Sequence, residues 1–127
     1  MRLSPIVAGV WRLAEWQLGT AGLVRWIEQA LDLGITSFDH ADIYGGYGVE
    51  AAFGQALAAA PALRQRLQLV TKCGIKLKSP ARPAHAIKSY DSSRAHVTAS
   101  VENSLRALHT DHIELLLIHR PDWLMDP

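Results

Sequence analysis

The sequence predicts an α/β fold built on a parallel sheet. Three observations carry this reading. Short, nearly continuous apolar runs recur at residues 5–10, 35–39, 67–71 and 113–118; an amphipathic helical stretch separates each run from the next; and the last three runs end in Asp39, Lys72 and His119. Strands that are apolar on both faces belong in a sheet covered by helices, and helix-length connections allow neighbouring strands to run parallel. The order β-α-β-α-β-α-β fits two architectures, a doubly wound open sheet or part of a (β/α)8 barrel, and the residue pattern alone leaves both open.

The first run, residues 5–10, is β-branched at Ile6, Val7 and Val10 and reads as a strand. Thr20 is placed to cap a helix reaching about Leu33, with Leu23, Ile27, Ala30 and Leu31 on one face and Gly34 as its stop. Residues 35–39 form a second strand ending at Asp39. A glycine-rich turn at residues 45–48 opens a helix over 49–60, striped by Val49, Phe53, Ala56 and Leu57 and terminated by Pro61. The third strand covers 67–71 and leads to Lys72. A long connection over 74–92 carries Pro80 and Pro83. Ser93 then caps a third helix whose apolar face is Val97, Val101, Leu105 and Leu108, and the fourth strand spans 113–118.

Composition bounds the function. The chain has 127 residues, 49% hydrophobic and 20% charged, within the range of globular domains and outside that of disordered chains. Thirteen basic against twelve acidic residues give a net charge of +1, which supplies no electrostatic case for nucleic acid or an anionic membrane. No apolar stretch approaches a membrane span or a signal-peptide core. A single cysteine, Cys73, forms no internal disulfide and fits a reducing compartment, so a cytoplasmic location is expected.

In parallel α/β folds the C-terminal strand ends form the rim where ligands bind. Asp39, Lys72 and His119 therefore converge from three strands, and Tyr44, five residues beyond Asp39, reaches the same rim. A lone tyrosine is a reluctant proton donor at neutral pH, and a neighbouring ammonium favours its phenolate form. Asp39 is suited to pair with Lys72, and Tyr44 with His119 to grip a carbonyl oxygen as charge develops on it. Such a set serves a carbon that accepts hydride and an oxygen that accepts a proton, with a nicotinamide as the hydride source.

The segment Phe38-Asp39-His40-Ala41-Asp42-Ile43-Tyr44-Gly45, followed by Glu50 and Gly54, resembles the aldo-keto reductase signature. Val70-Thr71-Lys72 resembles that family's lysine strand, and the run from Leu115 to Pro121, with His119, its histidine strand. The resemblance implies a (β/α)8 TIM barrel, truncated to about its first four strands and three helices, with residues 1–127 as one partial barrel domain. It implies that Tyr44 is the general acid, that His119 orients the carbonyl, that Lys72 and Asp39 tune the tyrosine, and that Asp39 lies beside the nicotinamide ribose. Trp11 matches a position bordering the nicotinamide and substrate, and Trp123 a further substrate wall. The cofactor implied is NADPH, with NADH the alternative, and the substrate a small aldehyde or ketone. The family's Ser-Asn pair after strand five and basic site near strand eight have no counterpart here, and its N-terminal hairpin is reduced to a few residues. The 127-residue chain alone is therefore expected to be inactive.

Other patterns compete. Asp39, His40, Asp42 and His119 also form a carboxylate–imidazole set suited to a metal-dependent hydrolase, which leaves Tyr44 and Lys72 without roles. A non-catalytic binding subunit on the same fold is a third reading, which the intact tetrad opposes. Residues 46–51 match G-x-G-x-x-A, but they sit too far beyond their strand for a dinucleotide fingerprint. Glu50 reads as an acidic residue supporting its helix start, Cys73 as a buried inert thiol, and His85, His96, His109 and His112 as surface or helix-end residues.

Overall fold

A computed structural model of the protein describes residues 2–120. In chain order the elements are β1 (Val7–Gly9), α1 (Leu13–Trp16), α2 (Gly19–Asp32), β2 (Ser37–Asp39), α3 (Val49–Ala59), β3 (Gln68–Cys73), β4 (Ile75–Lys76), β5 (Ser89–Tyr90), α4 (Arg94–Ala107) and β6 (Leu115–Ile118), with 3-10 turns at Tyr44–Gly46 and Pro61–Arg66. Four strands make one sheet in the order β1-β2-β3-β6, every pair parallel. Successive strands are added on one side only, and α2 packs on α3 and α3 on α4 in a single layer. A doubly wound sheet reverses its strand order and carries helices on both faces. The sequential order and single helical layer are those of consecutive units of a (β/α)8 barrel.

The core lies between that layer and the outer face of the sheet. Val10, Ile27, Phe38, Phe53, Ala56, Leu69 and Leu108 have no exposed surface. An aromatic file runs through it: Trp16 on Trp26, Trp26 on Phe38, and Phe38 on Phe53, at centroid distances of 5.2, 5.7 and 5.5 Å. On the inner face, where alternation puts Val7, Asp39, Val70, Lys72 and Leu117, the outermost strands remain open, Val7 being 39% and Leu117 38% exposed. At the opposite end from the rim, Ser4 crosses to β2: its Oγ accepts from the Thr36 and Ser37 amides, and Gln68 Nε2 donates to the Arg2 carbonyl.

Several expectations are revised. Thr20 does not cap α2, which begins at Gly19 behind Leu18, and α1 precedes it. The strands are shorter at their N-terminal ends than the apolar runs, because those first residues precede the ladder. The connection over 74–92 holds an antiparallel pair, β4 with β5. Ser93 does cap α4, accepting from the His96 amide. On α4, however, the fully buried residues are Ser100, Ser104 and the following Leu108, while Val97, Val101 and Leu105 are half-buried.

Small residues on α4 permit a close helix crossing, and Gly54 completes it. A Cβ built at Gly54 falls 1.9 Å from the Ala107 carbonyl oxygen and 2.9 Å from Leu108 Cα, both backbone atoms. Glycine inside a helix normally costs stability relative to alanine; here alanine would force α3 and α4 apart. Gly54→Ala is expected to lower the free energy of unfolding by at least about 2 kcal/mol, read from the urea midpoint.

Candidate active site

Register places the first two site residues. Asp39 is opposite Val70, and Lys72 lies two residues further along β3, on the same face. Lys72 thus stands just past the end of β2, and its stem turns back so that Nζ is 2.7 Å from both Asp39 carboxylate oxygens. The ammonium also donates to the His40 carbonyl oxygen at 2.7 Å and lies 3.2 Å from the Tyr44 hydroxyl. Three N–H bonds are thereby matched to three groups, a carboxylate, a peptide carbonyl and a phenol. The Lys72 and Asp39 side chains are 15% and 29% exposed, so the pair is largely shielded from bulk water.

The loop after β2 is zippered to the sheet. The His40 amide donates to the Val70 carbonyl and the Asp42 amide to the Lys72 carbonyl, extending the β2–β3 ladder past the strand. The chain then reverses through Gly45, Gly46 and Tyr47, all at positive φ, into α3. Gly45 is required there twice over, by its φ of 57° and because a Cβ would fall 2.8 Å from Val49 Cγ2. This reversal holds Tyr44 over the strand ends. Its ring is 5.1 Å from Lys72 Nζ and 5.9 Å, edge-on, from the His119 ring.

His119 follows β6 on the face shared by Leu117 and Lys72, and its amide donates to the Cys73 carbonyl. Burial, and then the Lys72 charge, push its imidazole below the usual histidine range, which keeps the ring neutral at neutral pH. The structure thus brings Asp39, Lys72, Tyr44 and His119 to one rim. Trp11 lies just beyond β1 and is 69% exposed beside Gly9, Arg12, Glu15 and Trp16. Trp123 lies outside the described residues.

The carboxylate–imidazole set does not converge. His40 is wholly buried on the other side of the chain, its ring 4.5 Å from Phe53, and Asp42 turns away toward α4. Among the described residues no group of three or more His, Cys, Asp or Glu is arranged to hold a metal ion. Cys73 is buried, its thiol pushed up to about 11 chiefly by desolvation.

Behind the rim lies a feature that the pattern of the sequence does not disclose. Glu50 is 5% exposed and does more than support a helix start: its carboxylate accepts from Thr71 Oγ1 at 2.6 Å and Ser104 Oγ at 2.9 Å, joining α3, β3 and α4. Asp42 lines the adjoining polar cavity of about 190 Å³ with Glu50, Tyr47, Arg82, His85 and His96. His85 and His96 are therefore half-buried cavity residues, unlike His109 and His112, which are exposed. Desolvation, with Glu50 repulsion second, raises Asp42 to about 7. The only signal in the sequence was acidic and hydroxylated residues at apolar-stripe positions, which is not specific.

Comparison with known proteins gives these residues a setting. The family model described as "Aldo/keto reductase family" matches residues 5–126. Over 127 residues the chain is 57% identical to "Uncharacterized oxidoreductase YcsN" of Bacillus subtilis, covering all of this chain and 42% of that protein. It is 47% identical to a "6-dehydroglucose reductase" of Agrobacterium fabrum, covering 99% of this chain and 43% of that protein. Among solved structures, a putative aldo-keto reductase from Pseudomonas aeruginosa superposes with a TM-score of 0.77 at 30% identity, covering 94% of this chain and 43% of its own. The holo form of a Bacillus halodurans aldo-keto reductase superposes with a TM-score of 0.70 at 30% identity, over 91% of this chain and 36% of its own. These neighbours are (β/α)8 barrels. The chain spans about two fifths of the length of the curated relatives it matches.

The buried acid makes a pH prediction. An ordinary aspartate loses its proton near 3.8 and Asp42 in the fold near about 7, so between these values the folded chain holds a proton that the unfolded chain has released. The stability of the wild type relative to Asp42→Asn is expected to fall as pH rises across that window and to level off above it. Urea unfolding of both proteins at a series of pH values measures this difference, and a flat difference contradicts it.

Proposed function

Because the chain belongs to the aldo/keto reductase family, we propose that Asp39, Tyr44, Lys72 and His119 form the proton-transfer corner of an oxidoreductase that reduces aldehydes or ketones to alcohols with NADPH. The observation that carries this reading is the Lys72 ammonium, held on Asp39 at 2.7 Å and 3.2 Å from the Tyr44 hydroxyl. An ammonium has no lone pair, so the phenolic oxygen accepts from it and keeps its own O–H for the carbonyl oxygen of a substrate on the rim. As that proton leaves, the charge on the phenolic oxygen is stabilised by the ammonium at short range in a partly desolvated site. Asp39 fixes the ammonium in place. His119, neutral for the reasons given above, donates a ring N–H to the same substrate oxygen and orients it.

Reduction to the alcohol needs a hydride at the carbonyl carbon as well as the proton from Tyr44, and a nicotinamide held at this rim would supply it. The residues present fit such a group. Asp39 keeps free carboxylate lone pairs and is 29% exposed, and Trp11, two residues past the Gly9 that pairs with Asp39, is 69% exposed. Membership of the aldo/keto reductase family supports an oxidoreductase cofactor of the nicotinamide class, and a relative named for 6-dehydroglucose supports a carbonyl carried on a polar, sugar-like substrate. A net charge of +1 and a free thiol at Cys73 support a small-molecule substrate in the cytoplasm.

The test uses a protein in which residues 1–127 continue into a barrel of the relatives' length, assayed by nicotinamide oxidation with aromatic, aliphatic and sugar aldehydes. Tyr44→Phe is expected to lower kcat by roughly a hundred- to ten-thousandfold with little change in KM. Residues 1–127 alone are expected to show no turnover. Wild-type kcat in the Tyr44→Phe protein sinks the reading.

A further inference from the structure

The loop after β2 contains a buried polar group for which the proposed chemistry has no use. The His40 ring has no exposed surface; its Nδ1 lies 3.2 Å from the Phe38 carbonyl oxygen, and its Nε2 has no hydrogen-bond partner among the described residues. A carbonyl oxygen only accepts, so Nδ1 carries the proton and Nε2 a lone pair facing apolar surroundings. Burial lowers this imidazole to about 4, so the ring is neutral throughout the neutral range. An unpaired buried acceptor costs stability that an apolar side chain of similar size avoids. The ring is therefore explained by the bond it makes.

That bond acts on the main chain. The Nδ1–H bond to Phe38, two residues back, closes the turn at the end of β2 from one side, and the His40 amide bond to Val70 at 2.8 Å closes it from the other. The amide bond orients the Asp39–His40 peptide and the ring bond holds the His40 side chain against it. Together they fix the residue from which the next peptide presents its carbonyl oxygen, 2.7 Å from Lys72 Nζ. We propose that His40 is a positioning residue: its imidazole, anchored in the core, aims its own carbonyl at the Lys72 ammonium and so fixes where that ammonium stands between Asp39 and Tyr44. This rests on the proposed role of Lys72 for its consequence in catalysis, but not for its geometry.

With the anchor removed, the His40–Ala41 peptide is held only by the main-chain bonds on either side of it, from the His40 amide to Val70 and from the Asp42 amide to Lys72. The ammonium's hold on one of its three acceptors then loosens. Two variants lacking the donor, His40→Leu and His40→Phe, are compared with His40→Asn, whose amide keeps a donor at the Nδ1 position. Folding is checked by circular dichroism. Lysines of the 127-residue chain are labelled with limiting acetic anhydride and quantified by peptide mass spectrometry, with Lys76 as internal reference. Labelling of Lys72 relative to Lys76 is expected to rise severalfold in the variants lacking the donor and to stay near wild type in His40→Asn. In the barrel-length protein the same variants are expected to lose roughly ten- to a hundredfold in kcat at nearly constant KM, with His40→Asn restoring most of it. Unchanged Lys72 labelling in a folded variant lacking the donor overturns the proposal. If neither variant folds, raised labelling in His40→Asn overturns it and wild-type labelling there supports it. Raised labelling in a barrel-length protein that reduces no carbonyl leaves the positioning intact and removes the reductase reading.

Discussion

The Lys72 ammonium is the constraint to which the rest of this structure answers. A half-buried positive charge needs all three of its N–H bonds matched, and the three acceptors come from different places: the last residue of β2, a peptide just past it, and the turn before α3. Each acceptor imposes a condition elsewhere. Asp39 requires the β2–β3 register, because a slip of one residue would turn Lys72 to the helical face. The His40 carbonyl requires the ladder to continue beyond the strand. Tyr44 requires a reversal that only glycine at position 45 completes without strain or collision.

The outer side of β3 meets the opposite demand. Thr71 points away from the rim, next to Lys72, and is held by Glu50, which Ser104 holds in turn. A carboxylate so enclosed is costly unless its lone pairs are filled, and two hydroxyls fill part of that need. The same strand is thus fixed on its inner face by an ion pair and on its outer face by a hydrogen-bonded acid. The close crossing at Gly54 holds α3 and α4 at the spacing that lets Glu50 reach both partners. Asp42 lies between the two systems, its amide on the Lys72 carbonyl and its carboxyl in the cavity beside Glu50, so that the acid most strained by burial is tied to the residue that orders the rim.

How far the sequence discloses this depends on what kind of signal each part leaves. Periodicity shows the strands and helices because burial selects apolar side chains at fixed spacing, and the strand ends show Asp39, Lys72 and His119 because polar residues at those positions interrupt the pattern. Tyr44 is legible through its distance from Asp39. The His40 carbonyl is not, since every residue carries the same backbone atom, and its ring looks like a ligand until the structure shows it packed on Phe53. Glu50 misleads in the same way: at the start of a helix an acid is ordinary, and only the tertiary contact with Thr71 and Ser104 shows why it is buried. Strand order, the feature that separates barrel from doubly wound sheet, leaves no trace in residue pattern because both use the same βαβ unit.

The site is assembled from neighbouring pairings, β2 on β3 and β3 on β6, with Asp39, Lys72 and His119 at or just past the strand ends and Tyr44 in the loop packed on them. Its geometry is therefore set by local registers and by the loop packed on them, and no contact from a distant strand is needed to bring Asp39, Lys72, Tyr44 and His119 together. In the eight-stranded neighbours the same four-strand arc is one side of a closed wall. Closure there adds an opposing surface that excludes water and bounds the ligand, which strengthens every charge interaction at the rim without redirecting any of them. Placement of the four rim residues and their enclosure are separable in this fold, and the arc described here accounts for the first.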